Sequence, residues 1–283
     1  MTGSPLSGPV PGSENVVPPA GCPLTPMPMT ALPLPVPRDL DRPPLDVLAV
    51  FAHPDDAELI CGGALAAGVD AGQQVGILDL TRGETGSRGT PEIRAREAMD
   101  AAEILGVEGR WTSGLPDGAL EDSPEARIHL ARHLRILRPG LVVTHWRTSR
   151  HPDHRAASTL VDSASFMAGL KNLPVEDAPP YRPRTVARAT LFRDDAPAPD
   201  VIVDVGSVLD RRTAAVAAFR SQFEGAPAAG EVRGGGPERP LEEQVRHHLA
   251  REGSRIGVAW GEPYVTEHPL AIPHLGALDV PTY

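Results

Sequence analysis

The chain has 283 residues, of which 41% are apolar and 23% charged, and it carries a net charge of −10. That length and composition fit a globular protein able to bury one sizeable α/β core. The acidic balance speaks against nucleic acid as a partner, because that binding is driven by Lys and Arg neutralising phosphates.

Residues 1–44 hold 13 prolines and no periodic apolar face. Such a segment cannot offset the entropy of being ordered, and it reads as a disordered, Pro-rich tail. "PPAGC" (18–22) faintly resembles a lipoprotein cleavage site, but no basic start or apolar stretch precedes it. The two cysteines, Cys22 and Cys61, are too few for a disulfide framework and fit a reducing, cytoplasmic compartment. No run approaches the roughly 18–20 apolar residues that span a bilayer, so no membrane partner is expected.

From Leu45 onward a single domain (45–283) is expected. "LDVLAVFA" (45–52) is an apolar run of strand length, and "ELICGGALAAGVDAG" (58–72) is helix-like and closed by Gly72. "QVGILDL" (74–80) predicts a second buried strand. "TPEIRAREAMDAAEILG" (90–106) predicts a helix capped by Thr90, with Pro91 in its first turn and Gly106 past its end. "RWTS" (110–113) is a short strand, and "SPEARIHLARHLRILRPG" (123–140) repeats the helix grammar from Ser123. "LVVTHW" (141–146) is a strand and 153–169 a helix. Strands follow at 185–192 and 200–206, then helices at 208–223 and 241–257 around a Gly/Pro loop (224–240). Strand and helix alternating at this spacing predict an α/β fold, a mostly parallel sheet with helices on both faces.

In such a sheet, ligands bind beyond the carboxyl ends of the strands. "HPDD" (53–56) lies beyond the first strand and "HPDH" (151–154) beyond "LVVTHW", so two distant clusters should project into one crevice. His and Asp suit zinc, and a catalytic zinc site takes three protein ligands. His53 and Asp56 can aim at one ion, with His154 or His151 as the third ligand. Asp55 is then available as general base. Iron accepts the same donors. "TRGETGSRG" (81–89) should border the crevice with Arg82, Glu84 and Arg88, the arginines suited to a carboxylate or phosphate. Asp117, in "GLPDGAL", could accept hydrogen bonds from sugar hydroxyls. His129 and His133 are four apart on a helix but lack the Glu of a helical zinc-protease motif, Leu130 standing in its place; they read as surface histidines, as do His247 and His248.

"AHPDDAEL…GG" with a downstream "HPDH" resembles the PIG-L/LmbE-like zinc-dependent N-deacetylases of N-acetylglucosamine conjugates, over roughly residues 45–278. "LTRGETGSRGT", "RAREAMDAAEILG", "LPDG", "FRSQF" and "GVAWGEPY" resemble the branch that deacetylates N-acetylglucosaminyl-malate in bacillithiol biosynthesis. The sister branch acting in mycothiol synthesis is close. The resemblance implies a Rossmann-like fold and one zinc ion per chain bound by His53, Asp56 and His154. It makes Asp55 the base and His151 the protonated partner that stabilises the oxyanion or protonates the leaving amine, with Asp153 holding its ring. Arg82 would face the malate carboxylates. The substrate would be a small amino-sugar conjugate, and a homo-oligomer, often a hexamer, is implied.

Overall fold

The computed structural model describes residues 34–35, 40, 42–224 and 240–274, all within one compact unit. Most of the expected tail and of the expected Gly/Pro loop, and Cys22, lie outside the described residues. Within the tail region, Leu34–Pro35 form a short strand, β1. The chain continues as β2 (Val47–Phe51), α1 (Asp56–Asp70), β3 (Val75–Asp79), α2 (Pro91–Leu105), β4 (Gly109–Thr112), α3 (Pro124–Leu137), β5 (Leu141–His145) and α4 (Pro152–Ala168). It then forms β6 (Thr185–Ala189), β7 (Val201–Asp204), α5 (Leu209–Ala218), α6 (Arg220–Phe223), α7 (Leu241–Gly253) and β8 (Gly261–Thr266).

The helix starts follow the sequence signals. Thr90 Oγ1 accepts the Ile93 N–H and Ser123 Oγ accepts the Ala126 N–H, each just before a first-turn Pro. The helix expected at 208–223 breaks at Phe219, whose ψ of 60° is not helical, into α5 and α6. His133 is buried, correcting its reading as a surface histidine. It shares the inward face of α3 with Leu130, Leu134 and Leu137, and burial holds its pKa down at about 3.

The sheet order is β1-β4-β3-β2-β5-β6-β8-β7. Pairing is parallel from β1 through β6, and β8 runs antiparallel to both β6 and β7. One apolar cluster packs α1, α2, α5 and α7 on one face, through residues such as Leu59, Ala98, Ala215 and Leu249. The other packs α3 and α4 on the opposite face through Leu130, Leu134, Leu160 and Val161. Strand β8 was not expected, because "GEPYVT" carries Pro263 and a wholly buried Glu262. That glutamate ties β8 to α1. Its carboxylate accepts the N–H groups of Gly63 (2.9 Å) and Ala64 (2.7 Å) and pairs with Arg212 Nε at 2.7 Å. Arg212 in turn donates to the Leu59 carbonyl. A Cβ on Gly63 would lie 2.8 Å from Glu262 Oε1 and 2.7 Å from Val205, so this turn of α1 needs glycine.

The chain leaves β2 towards β3 and β4 on one side, while β5 and β6 lie on the other. The strand order therefore reverses between β2 and β5, which is where an open α/β sheet forms a ligand crevice. "HPDD" follows β2 and "HPDH" follows β5, so both flank that point.

Candidate active site

His53 and Asp56 meet because the chain turns from β2 directly into α1. Asp56 accepts the His53 N–H at 2.9 Å and faces His53 Nδ1 at 3.2 Å through the same oxygen, Oδ2. Its other oxygen, Oδ1, lies 3.3 Å from His154 Nε2. The Asp56 carboxylate thus lies between two imidazoles supplied by sequence-distant segments. All three side chains are buried. The His154 and His145 imidazoles overcome burial, which would raise the Asp56 pKa, and hold it well below the usual carboxylate range.

On the far side of its ring, His53 Nε2 faces Asp117 Oδ1 at 3.0 Å and Asp153 Oδ2 at 3.3 Å. Carboxylates on the remaining ring nitrogen fix the tautomer and orientation of a metal-binding histidine. Burial alone would lower the His53 pKa, but Asp117, Asp153 and Asp56 outweigh it and push it up to about 12. The same excess of carboxylate that favours a proton on His53 favours a divalent cation. A donor set of two imidazoles and a carboxylate suits zinc or iron, so the residues fit the metal that the motifs imply.

Asp153 does not hold the His151 ring with its carboxylate, which accepts the Gly118 N–H at 2.7 Å and faces His53. It meets His151 through its backbone N–H, which donates to His151 Nδ1 at 3.2 Å in the N-cap of α4. That bond uses His151 Nδ1 as the acceptor, which places the proton of a neutral ring on Nε2, and partial burial with the nearby imidazoles lowers its pKa. Arg88 turns away from the crevice and donates to the carbonyls of Ser221 (2.9 Å) and Glu224 (2.5 Å).

Asp55 sits in the left-handed region at φ 111° and makes no side-chain cap to α1. Burial raises its pKa to about 7, against the pull of the Arg94 guanidinium at 3.3 Å. Asp117 also reaches the 82–89 loop, its Oδ2 accepting both the N–H and the hydroxyl of Thr85 at 2.8 Å. Glu84 accepts the backbone N–H groups of Arg82 and Asp117. Arg82, Glu84 and Asp117 therefore belong to one loop assembly beside His53, with Arg82 exposed.

Three residues escape a reading by motif. Arg94 lies on the buried stripe of α2 with Ala98, Ala101 and Leu105, and a charge in an apolar stripe was the available signal. Arg110 pairs with Glu58 and Asp79 behind α1, all three buried. His145 ends β5, stacks on His154 with centroids 4.0 Å apart, and lies 3.4 Å from Asp56. The trio Asp56, His145 and His154 is wholly buried and compact enough to suggest a metal set of its own. However, His145 Nε2 is shared between the Ala52 N–H at 3.1 Å and the Asp56 carboxylate at 3.4 Å, so that side of its ring is already engaged with protein groups.

This is an open α/β sheet protein with a histidine–carboxylate centre at its topological switch point. Residues 48–165 match the family described as PIG-L: GlcNAc-PI de-N-acetylase. The chain is 30% identical over 190 residues to a probable N-acetyl-alpha-D-glucosaminyl L-malate deacetylase 2 of Bacillus anthracis, covering 62% of this chain and 81% of that protein. It is 34% identical over 140 residues to the mycothiol S-conjugate amidase of Streptomyces coelicolor, 39% of this chain, and spans about half (48%) of that relative's length. The crystal structure of a conserved protein from Thermus thermophilus superposes with a TM-score of 0.71 at 41% identity, over 81% of this chain and 97% of that one. The chain belongs to the PIG-L family of LmbE-like deacetylases.

Proposed function

We propose that this protein is a metal-dependent N-deacetylase that hydrolyses the acetamide of an N-acetylglucosamine conjugate, with N-acetylglucosaminyl-malate as the preferred substrate. The observation that carries the reading is the division of labour within "HPDD": Asp56 is drawn between His53 and His154, while Asp55, next to it, is left outside that set.

His53, Asp56 and His154 would hold the ion. When bound, a divalent ion there supplies Lewis acidity, lowering the pKa of water and polarising an acetyl carbonyl. Asp55 takes the proton as water attacks the carbonyl carbon, and its raised pKa suits a base working near neutrality. His151 offers its Nε2–H to the oxygen that becomes negative. Protonated Asp55 then delivers its proton to the departing amine, restoring the carboxylate as acetate leaves. Asp117 and Asp153 orient His53 from behind. Arg82, exposed at the rim, is suited to an aglycone carboxylate, and the likeness to the malate deacetylase supports that choice of conjugate.

The test is release of primary amine from N-acetylglucosaminyl-malate, an N-acetylglucosaminyl inositol and diacetylchitobiose, by zinc-loaded and chelated protein in parallel. Metal-dependent turnover highest on the malate conjugate is expected. Turnover on another of the three would keep the chemistry and reject the malate. A metal-loaded protein inactive on all three would reject the deacetylase.

A further inference from the structure

We propose that Arg94 is a positioning residue that locks the base Asp55 to the substrate loop, so that one guanidinium sets both. The proposal rests on Asp55 being the base, as inferred above.

Arg94 projects from α2 and is 5% exposed. Its Nη2 donates to the Pro54 carbonyl at 2.6 Å and to Asp55 Oδ2 at 3.3 Å. Its Nη1 donates to the Gly83 carbonyl at 3.0 Å. The planar fork therefore spans two loops, one following β2 and one following β3. A lysine, with one ammonium, cannot reproduce that span.

Each loop shows its need for this link. Asp55 has φ 111°, a strained conformation for a non-glycine residue that persists only under restraint from its surroundings. The Asp55 carbonyl accepts the Leu59 N–H at 3.0 Å, but its carboxylate makes no cap to α1, so on the side-chain face the restraint comes from Arg94, through Asp55 itself and the preceding carbonyl. Gly83 has φ 65°, and a Cβ there would lie 1.9 Å from Arg94 Nη1. The loop backbone packs directly on the guanidinium, and only glycine allows it. From Gly83 the order passes outward: the Gly86 N–H bonds the Gly83 carbonyl, and Thr85 bonds Asp117. Arg82 and Glu84, on the same loop, take their places relative to Asp55 from this contact.

The test uses full-length, metal-loaded protein as Arg94→Met, Arg94→Lys, Gly83→Ala and the double variant Arg94→Met/Gly83→Ala. Metal content, melting temperature, kcat, KM and amide exchange at Gly83, Thr85 and Gly86 are measured on each. Arg94→Met is expected to keep its metal, lose exchange protection at those amides and lose about 10²-fold in kcat, since a misplacement of about 1 Å can cost that much. KM should rise too, though by less than kcat falls, because Arg82 shares the loop that Arg94 holds. Arg94→Lys should regain at most about a tenth of wild-type kcat. Gly83→Ala should lower kcat similarly, and the double variant should be no worse than the poorer single, because both break one link. Losses that multiply in the double variant would overturn the proposal, as would a loss confined to KM or an unchanged kcat in Arg94→Met. Should Arg94→Met fail to fold, Arg94→Lys and Gly83→Ala decide between the same outcomes. A wild-type protein inactive on every amino sugar would defeat the deacetylase reading instead. Exchange would still judge the link, and unchanged protection in the variants would overturn it.

Discussion

At the scale of single residues, adjacent aspartates are given opposite electrostatic surroundings. Asp56 is held ionised by the imidazoles around it, whereas burial pushes Asp55 up to about 7. Replacing Asp55 with Asn should leave the metal in place and cost about 10²- to 10⁴-fold in kcat, the usual worth of a general base; full activity would remove it from the mechanism. His151→Ala should cost about 10²- to 10³-fold with metal retained, as removal of one oxyanion donor does, and metal analysis of the variant separates donor from ligand. The pH profile follows with its sign. Asp55 must be a carboxylate to accept a proton, so kcat/KM should fall as pH drops through its pKa. A cation beside Asp55 draws that pKa down, so the acid limb should lie at or below about 7, and Asp55→Asn should abolish it. The motif residues were legible because residue type and strand-end position coincide in the sequence. The partners of Asp153 and the tautomer of His151 were not, since both depend on Gly118 and on the N-cap of α4, which only the folded backbone brings together.

At the scale of elements, strands β2, β3 and β5 and helices α2 and α3 were readable because each keeps one period and its own caps. β8 was not, because Glu262 and Pro263 interrupt its apolar run, although Tyr264 and Val265 are buried in the fold. Glu262 and Arg212 are both buried and jointly reach the turn of α1 at Leu59–Gly63. Breaking such a pair from one side leaves an uncompensated charge and costs about 3–5 kcal/mol, whereas replacing both partners with well-packed apolar groups can be close to neutral. Arg212→Met should therefore lose about that much in urea denaturation, and Arg212→Met/Glu262→Leu should regain most of it. A single variant within about 1 kcal/mol of wild type would mean that the pair does not hold β8 to α1. The break of the expected 208–223 helix fits the same picture. The chain bends at Phe219 so that Ser221, on α6, can donate to Glu97 of α2 at 2.7 Å through its N–H and 2.6 Å through its hydroxyl.

At the scale of the whole molecule, the centre joins segments that the sheet order keeps side by side but the sequence keeps about a hundred residues apart. His53 and Asp56 follow β2, His154 begins α4, and β2 pairs with β5. The crevice could be foreseen from the alternation of strands and helices, because a change of winding direction between two parallel neighbours always leaves one. An ion held there ties the two halves of the sheet together. Because it binds only the folded arrangement, it stabilises the chain by RT ln(1 + [L]/Kd), about 2.7 kcal/mol at a hundredfold excess over Kd. For a domain of this size each kcal/mol moves the melting temperature by about 2–4 °C. Chelation should thus lower the melting temperature by about 5–10 °C, and restoring zinc should recover it. Asp56→Asn should melt at one temperature with or without zinc, because it loses the carboxylate that lies between the two imidazoles. Asp55→Asn should keep the shift, since Asp55 lies outside the proposed ligand set. A shift lost in Asp55→Asn and kept in Asp56→Asn would exchange the roles of the two aspartates, and with them the mechanism.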